Sequence, residues 1–385
     1  MKKHNFQNIQ FSRTAIAIAI YTSLIGTTFA DTAEEQTAIL PTISSQANEN
    51  TTKTEGTNSY TTGKVSTGKF EQSLRETPQS ISVLTRKQLD EQNITNLKEA
   101  MIQAPGVTVT SNGAFAETGY QMRGYRAIQQ QDGLSVGSDD SYSIAPPRDM
   151  EIYDRIEILR GPAGLLEGSG DPSGIINMVR RRPTAEAEGY ANLSYGSWNN
   201  KRVSVGANNR LNEDGSIRGR VILTHQEKDF FYDYAEENRS SAYAIVEADL
   251  TDKTLLTTAI NYSQSDSVPF YGWPPHGGGF SRSSYFGADW NKTKVPNAFE
   301  GRLDLEHSFE NNWKVKLSTI YQNQDLRSAP SLFQVSLLMR YWHPTMTVKN
   351  RQLLEESLYL LDLDGLNVHS HPSAHDLANS PNHLH

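Results

Sequence analysis

The chain contains no cysteine, which removes disulfides, Fe–S clusters, thiolate zinc sites and cysteine nucleophiles together. No run of 18 or more apolar residues lies beyond the N-terminus, so a helical membrane protein is excluded. Hydrophobic residues make up only 36%, below the ~45–50% (glycine included) of an ordinary globular chain. Basic residues are outnumbered, with 36 Lys+Arg against 44 Asp+Glu and a formal charge of −8. The basic stripe of a nucleic-acid binder is therefore missing, and no nucleic-acid partner is expected. What remains is a polar, mildly acidic chain of 385 residues, long enough for two or three domains.

The N-terminus reads as an address. Lys2, Lys3 and Arg13 precede an apolar run over residues 15–25, too short to span a bilayer, and Thr28-Phe29-Ala30 offers small residues before Asp31. That order of charge, apolar run and small-residue site predicts a signal peptide over residues 1–30. Residues 31–69 are rich in Thr, Ser, Gln, Asn and Glu and are expected to be a disordered arm. One apolar island interrupts it, Ile39-Leu40-Pro41-Thr42-Ile43. An extended island in such an arm suits pairing with the edge of a partner's sheet.

Residues 70–184 read as a mixed α/β domain. Ser80–Leu84 is expected as a strand, and Thr85 with Gln88 as a capping box for the helix after it. A second helix is expected from near Thr95, setting Leu97, Ala100, Met101 and Ala104 on one face and stopping at Pro105-Gly106. Val107–Thr110 and Arg155–Leu159 are extended. The glycine-rich stretch Gly161–Gly174 misses both the dinucleotide and the Gly-Lys-Ser/Thr spacings, so no nucleotide site is expected.

After Pro183 the period becomes two. Phe299, Gly301, Leu303 and Leu305 share one parity, while Glu300, Arg302, Asp304 and Glu306 share the other. Seven strands of this kind are expected over residues 185–327. Such alternation fits a soluble sandwich or a barrel with lipid outside and water inside. Connection lengths favour the barrel, with short turns near Asn212–Gly215, Thr251–Lys253 and Glu310–Asn312 set against longer segments at Glu227–Ser240 and Ser263–Asn297. No Gly-x-Ser-x-Gly or His-Glu-x-x-His spacing is present, and no enzyme activity is expected.

Several segments are specific to a family. Arg75-Glu76-Thr77-Pro78-Gln79-Ser80-Ile81-Ser82-Val83, Met122-Arg123-Gly124-Tyr125, Asp132-Gly133 and the run from Asp154 to Val179 resemble plug-domain motifs of TonB-dependent siderophore receptors of the cell outer membrane. Within that family the chain most resembles ferric-hydroxamate receptors of the coprogen and ferrichrome type. The resemblance implies an α/β plug followed by the first seven or so strands of a 22-stranded antiparallel transmembrane β-barrel. It places a TonB box at Ile39–Ile43, gripped by a TonB-type energy-coupling protein, although Ser44-Ser45 depart from the usual form. It gives Arg123, Gly124, Arg160, Gly161 and Pro162 structural roles in the plug, with Arg123 and Arg160 pairing to carboxylates of the wall. Siderophore contacts are implied at Gln129, Gln130 and Tyr142 of the plug and at Tyr271 and Trp273 of an external loop. No cofactor is implied, because a ferric siderophore brings its own oxygen ligands for Fe³⁺. A passive porin or adhesin barrel is the alternative.

Residues 328–385 break the pattern. Alternation fades near Asp325, and His369, His371, His375, His383 and His385 crowd the end. The expectation is an aberrant, His-rich tail on a truncated or frame-shifted receptor that cannot transport; a zinc-binding arm is the other reading.

Overall fold

The computed structural model describes residues 52–67, 71–75, 77–112, 117–136, 148–162, 172–268, 281–285, 293–310, 313–328, 335–350 and 359–361. Strands β1 (Lys64–Val65) and β2 (Gln72–Ser73) pair as a short antiparallel ribbon, and two larger sheets organise the rest. The first is the plug, in which β3 (Ser80–Leu84), β9 (Tyr153–Arg160), β10 (Gly174–Arg180), β7 (Ile128–Gln131) and β8 (Leu134–Ser135) lie side by side in that order. Only the β10–β7 pair is parallel. Strands β9 and β10 are buried almost throughout. One face of this sheet carries Ile156, Ile158, Ile176 and Met178 into the main core, where they meet Leu89, Ala100 and Met101 of the plug's two helices. Each such side chain contributes about 1.5–3 kcal/mol by leaving water.

Helices α1 (Arg86–Glu91) and α2 (Leu97–Gln103) form where the sequence places them, but the capping differs. Thr85 occupies the N-cap of α1 without capping it; its hydroxyl donates to Ser59 O at 2.9 Å instead. The capping pair belongs to α2. There Asn96 Oδ1 accepts from Glu99 N, and the Glu99 carboxylate reaches back to Thr95 N at 2.7 Å. Gly106, with φ +77°, turns the chain after that helix.

Three short strands, β4 (Thr108–Asn112), β5 (Glu117–Met122) and β6 (Tyr125–Arg126), make a small antiparallel sheet. The β5–β6 hairpin closes on Arg123-Gly124 and the β7–β8 hairpin on Asp132-Gly133, with all four residues at positive φ. Two-residue loops of this hand match the twist of the strands they join, which explains both motifs physically. At Gly174, φ +146°, a Cβ would lie 2.2 Å from Leu159 O, so the β9–β10 pairing itself demands glycine there.

The second sheet is an antiparallel wall taken in chain order: β11 (Glu188–Gly196), β12 (Asn200–Arg210), β13 (Ile217–Asp229), β14 (Glu236–Thr251), β15 (Thr254–Ser267), β16 (Thr293–Ser308), β17 (Trp313–Ser328), β18 (Val335–Asn350) and β19 (Tyr359–Leu361). All seven expected strands are present, most of them longer than the alternation suggested. The wall also continues past the seventh. Strand β18 pairs along the full length of β17, so the strand pairing runs on into the segment expected to be a tail. The connection expected at Glu227–Ser240 is mostly strand, with six residues (230–235) left between β13 and β14. The segment between β15 and β16, residues 268–292, remains the long one.

Parity in the wall is inside out relative to a soluble sandwich. Leu223, Ile260, Phe299, Leu303 and Leu317 are exposed, whereas Arg220, Arg239, Arg302, Asp304 and Ser318 are buried. Cross-strand register lines up Ile217, Ala248, Leu256, Leu305 and Leu317 as the lower edge of an outward apolar band. Val205, Leu223, Ala242, Tyr262 and Phe299 line up as its upper edge. Six steps of about 3.3 Å separate the edges, roughly 20 Å along the strands, a continuous apolar belt of the kind that faces lipid. Above it the outward residues turn polar, as at His225, Ser240, Gln264 and Asn297.

Candidate functional site

The inward face of the wall closes on the plug. Ile222, Tyr243, Ile245 and Ile320 of the wall join the plug's own core, and around them runs a seam of buried charge. Asp149, at the N-cap of the short 3₁₀ turn Met150–Ile152, is its hub. The Asp149 carboxylate accepts two hydrogen bonds of 2.7 Å from Arg202 of β12, one of 3.0 Å from Thr224 of β13 and one of 2.9 Å from Glu151 N. Arg239 of β14 stands 3.7 Å away and donates to Thr95 O and to Gln226. Three adjacent wall strands thus converge on one plug carboxylate.

A second cluster sits at Asp132 in the β7–β8 turn. Arg180 donates to it through both its backbone N–H and its guanidinium, and lies 3.5 Å from Asp304 of β16. Arg302 of β16 bonds Asp304 at 2.8 Å and the Gln131 carbonyl at 2.7 Å, while Gln131 donates to Glu300 at 2.8 Å. Further pairs cross the seam at Arg182 with Glu247 and Glu306. A third knot holds Glu55 against Arg220 of β13 and Arg181, with Arg181 also bonding Glu151.

Residues 52–67, expected to belong to a disordered arm, are ordered on the plug. Thr54 and Glu55 donate backbone N–H groups to the Asp154 carboxylate. Ser66 and Thr67 bond the carboxylate of Glu157, which also accepts from Arg155 and Asn177. Short polar side chains and backbone amides satisfy charges on the inner strand β9 that would otherwise be costly to bury. Composition alone cannot show this, because the partners lie 90–100 positions away.

Burial works against ionised Asp132 and Asp149. Arg180 and Arg302 around Asp132, and Arg202 and Arg239 around Asp149, more than offset it, so both carboxyls titrate below the ordinary aspartate range. A depressed carboxyl stabilises the fold fully above its unfolded value of about 3.9 and loses that contribution as pH falls through the folded value. The plug should therefore stay seated from pH 8 to about pH 4 and loosen only in stronger acid. Trypsin resistance of protein equilibrated across that range checks this, and loosening complete by pH 6 would assign the control to other groups.

Several implied site residues are placed differently from expectation. The Arg160 guanidinium bonds Pro105 O, Ser80 and Ser82 within the plug, with no wall carboxylate beside it among the described residues. Arg123 lies beside Gly161, whose added Cβ would meet its guanidinium at 3.3 Å, and Pro162 O accepts from Gln79. Among the described residues, the arginines that cross the seam are Arg180, Arg181 and Arg182 from the plug and Arg202, Arg220, Arg239 and Arg302 from the wall. Gln129 and Gln130 belong to strand β7 rather than a loop. Gln129 is half-buried beside Arg148, and Gln130 has no exposed surface. Tyr142, Tyr271, Trp273 and Ile39–Ile43 lie outside the described residues.

A strand wall with an apolar outer belt, its polar face closed on a domain of the same chain by buried ion pairs, defines a plugged outer-membrane β-protein. Residues 73–175 match the TonB-dependent Receptor Plug Domain family, so this chain carries the plug of a TonB-dependent receptor. It is 37% identical over 289 residues to the ferric-pyoverdine M114 receptor PbuA of Pseudomonas sp. (strain M114), covering 72% of this chain and 34% of that protein. The ferripyoverdine receptor of Pseudomonas aeruginosa, solved with ferripyoverdine bound, superposes with a TM-score of 0.66 at 32% identity, over 77% of this chain and 42% of that one. The alcaligin outer-membrane receptor of Bordetella pertussis gives a TM-score of 0.66 at 30% identity, over 77% and 48%. The chain spans about a third of the length of the curated relatives it matches. The ferric-hydroxamate subtype is not the one these relatives carry in their names.

Proposed function

We propose that this chain forms the plug and the first part of the wall of a receptor that binds and takes up a ferric siderophore of the pyoverdine type, with iron carried as cargo inside the siderophore. The carrying observation is the plug itself, seated by Asp149 and Asp132 on the inward face of a lipid-facing wall. A passive porin needs an open lumen, and here the plug packs against the wall's inner face. The names of the pyoverdine-receptor relatives support the ligand class. Gln129, Tyr142, Tyr271 and Trp273 are proposed ligand contacts, rings and amides of the kind that line organic-ligand sites; Gln130, fully buried, would support the strand beneath them. The Ile39–Ile43 segment is proposed to pair with a TonB-type partner by strand addition, and the ordered residues 52–67 would carry the pull to β9.

Binding of radio-iron-labelled ferric pyoverdine to outer-membrane preparations tests the reading. Saturable binding is expected, weakened about tenfold or more by Trp273→Ala if that ring is an anchor. Absence of saturable binding, together with ligand-independent conductance, would favour the porin.

A further inference from the structure

Residues 181–187 join the plug to the wall, between β10 and β11, and a seat for them is built into β11 and β12. Asn208 of β12 is its centre. Its buried side chain treats Thr184 as a neighbouring strand would, with Oδ1 accepting from Thr184 N at 2.8 Å. Nδ2 shares its two protons among Thr184 O, Thr184 Oγ1 and Glu186 O, at 3.3, 2.5 and 2.7 Å. Tyr190 of β11 holds the chain just upstream, where its hydroxyl accepts from the Arg181 guanidinium at 3.0 Å. The Tyr190 ring lies over its register partner Gly206, where an added Cβ would fall 2.2 Å from Cε1. Only glycine at 206 leaves the ring that room. Buried Pro183 stands between the two holds and fixes φ there.

Two features set this seat apart from the seam. The Asp149 and Asp132 clusters join opposite charges, whereas Asn208 joins a neutral amide to backbone and hydroxyl groups that do not titrate. The seam also fastens the body of the plug, while the seat fastens only the chain leaving it. A covalent join needs no seat to keep two domains together. What the seat adds is a fixed position and direction for that end of the plug.

We propose that Asn208, backed by Tyr190 over Gly206, is a positioning residue that keeps residues 184–186 fixed to the wall when the charged seam opens, so that the plug moves about this end and returns in register. An ordered join spares the returning plug the entropy of fixing that backbone again. Holding one end in place also lets the Asp149 and Asp132 contacts re-form at high effective concentration. The inference concerns plug and wall alone, and it stands or falls independently of the siderophore reading.

Amide exchange of the chain in detergent tests it, with two reporters. Thr184 N–H is bonded to Asn208, and Met150 N–H is bonded to Thr95 O beside Asp149. In Asp149→Ala, exchange at Met150 should rise about tenfold while Thr184 stays within about twofold. In Asn208→Leu the pattern should invert. A second readout separates positioning from stabilisation. After a pulse at about pH 2, which protonates the seam, and a return to neutral pH, trypsin resistance should recover about tenfold more slowly in Asn208→Leu. The rate of opening in acid should not change, because the Asn208 bonds persist through that step; a residue that only stabilised the seated plug would speed opening instead. Thr184 exchanging along with Met150 in Asp149→Ala would overturn the proposal, as would faster opening or unslowed recovery in Asn208→Leu. Should Asn208→Leu not fold, the exchange comparison in Asp149→Ala decides alone, with Asp149→Asn in its place if the alanine variant does not fold.

Discussion

Replacing Asp149 by alanine is expected to cost about 3–5 kcal/mol of plug–wall stability, because it leaves buried Arg202 with only the more distant Glu151, at 3.7 Å, and takes from Arg239 one of its two neighbouring anions, the other being Glu237. Burial decides the size. Asp249 also pairs with an arginine, Arg218, but its side chain is 40% exposed against 2% for Asp149. Asp249→Ala should therefore cost less than about 1 kcal/mol. Urea midpoints of the two variants in detergent check the ranking, and equal shifts would contradict it. Asp149→Asn should fall between them, since the amide keeps shape and an acceptor but loses the charge.

The second large effect is expected at Glu157. Its carboxylate is fully buried and receives donors from Ser66, Thr67, Arg155 and Asn177. Glu157→Gln puts an NH₂ among groups that need an acceptor, and leaves at least one buried donor unmatched. A loss of about 2–3 kcal/mol follows from the unsatisfied groups, and it should be local. Amide exchange at Ser66 and Thr67 should speed up by one to two orders of magnitude while the β9–β10 ladder holds. Exchange rising equally across β10 would mean that Glu157 supports the whole sheet and not residues 52–67 alone.

The wall was the most legible part of the sequence. Period-two alternation at Phe299–Leu305 against Glu300–Glu306 reflects two different solvents on two faces, and no tertiary detail is needed to read it. Strand ends were less legible, because above the lipid band both faces are polar and the alternation that marks a strand disappears. This is why residues 236–241 read as a connection although they pair with β13 and β15. Helix caps went astray locally. Thr85-x-x-Gln88 has the capping spacing, but the Thr85 hydroxyl is turned to donate to Ser59 O and accepts nothing from the helix, while Asn96 and Glu99 do the capping one helix later. The seam was half legible. Arginines at 202, 220, 239 and 302 fall on the wet parity of their strands, but nothing local says that Asp149 or Glu55 is their partner. Gln130 was implied as a ligand contact by resemblance alone, and no local signal shows that its strand pairs with the buried β10.

One measurement bears most directly on the inside-out wall. The absence of native cysteine allows single cysteines at Leu317 and Ser318, adjacent residues of opposite parity in β17, the first exposed and the second buried. Each is labelled with a small fluorophore and reconstituted in vesicles of brominated lipid. The label at position 317 should be strongly quenched and the label at 318 nearly untouched. Quenching at 318 with 317 spared, or equal quenching at both, would contradict a wall that shows lipid its apolar face and the plug its polar one.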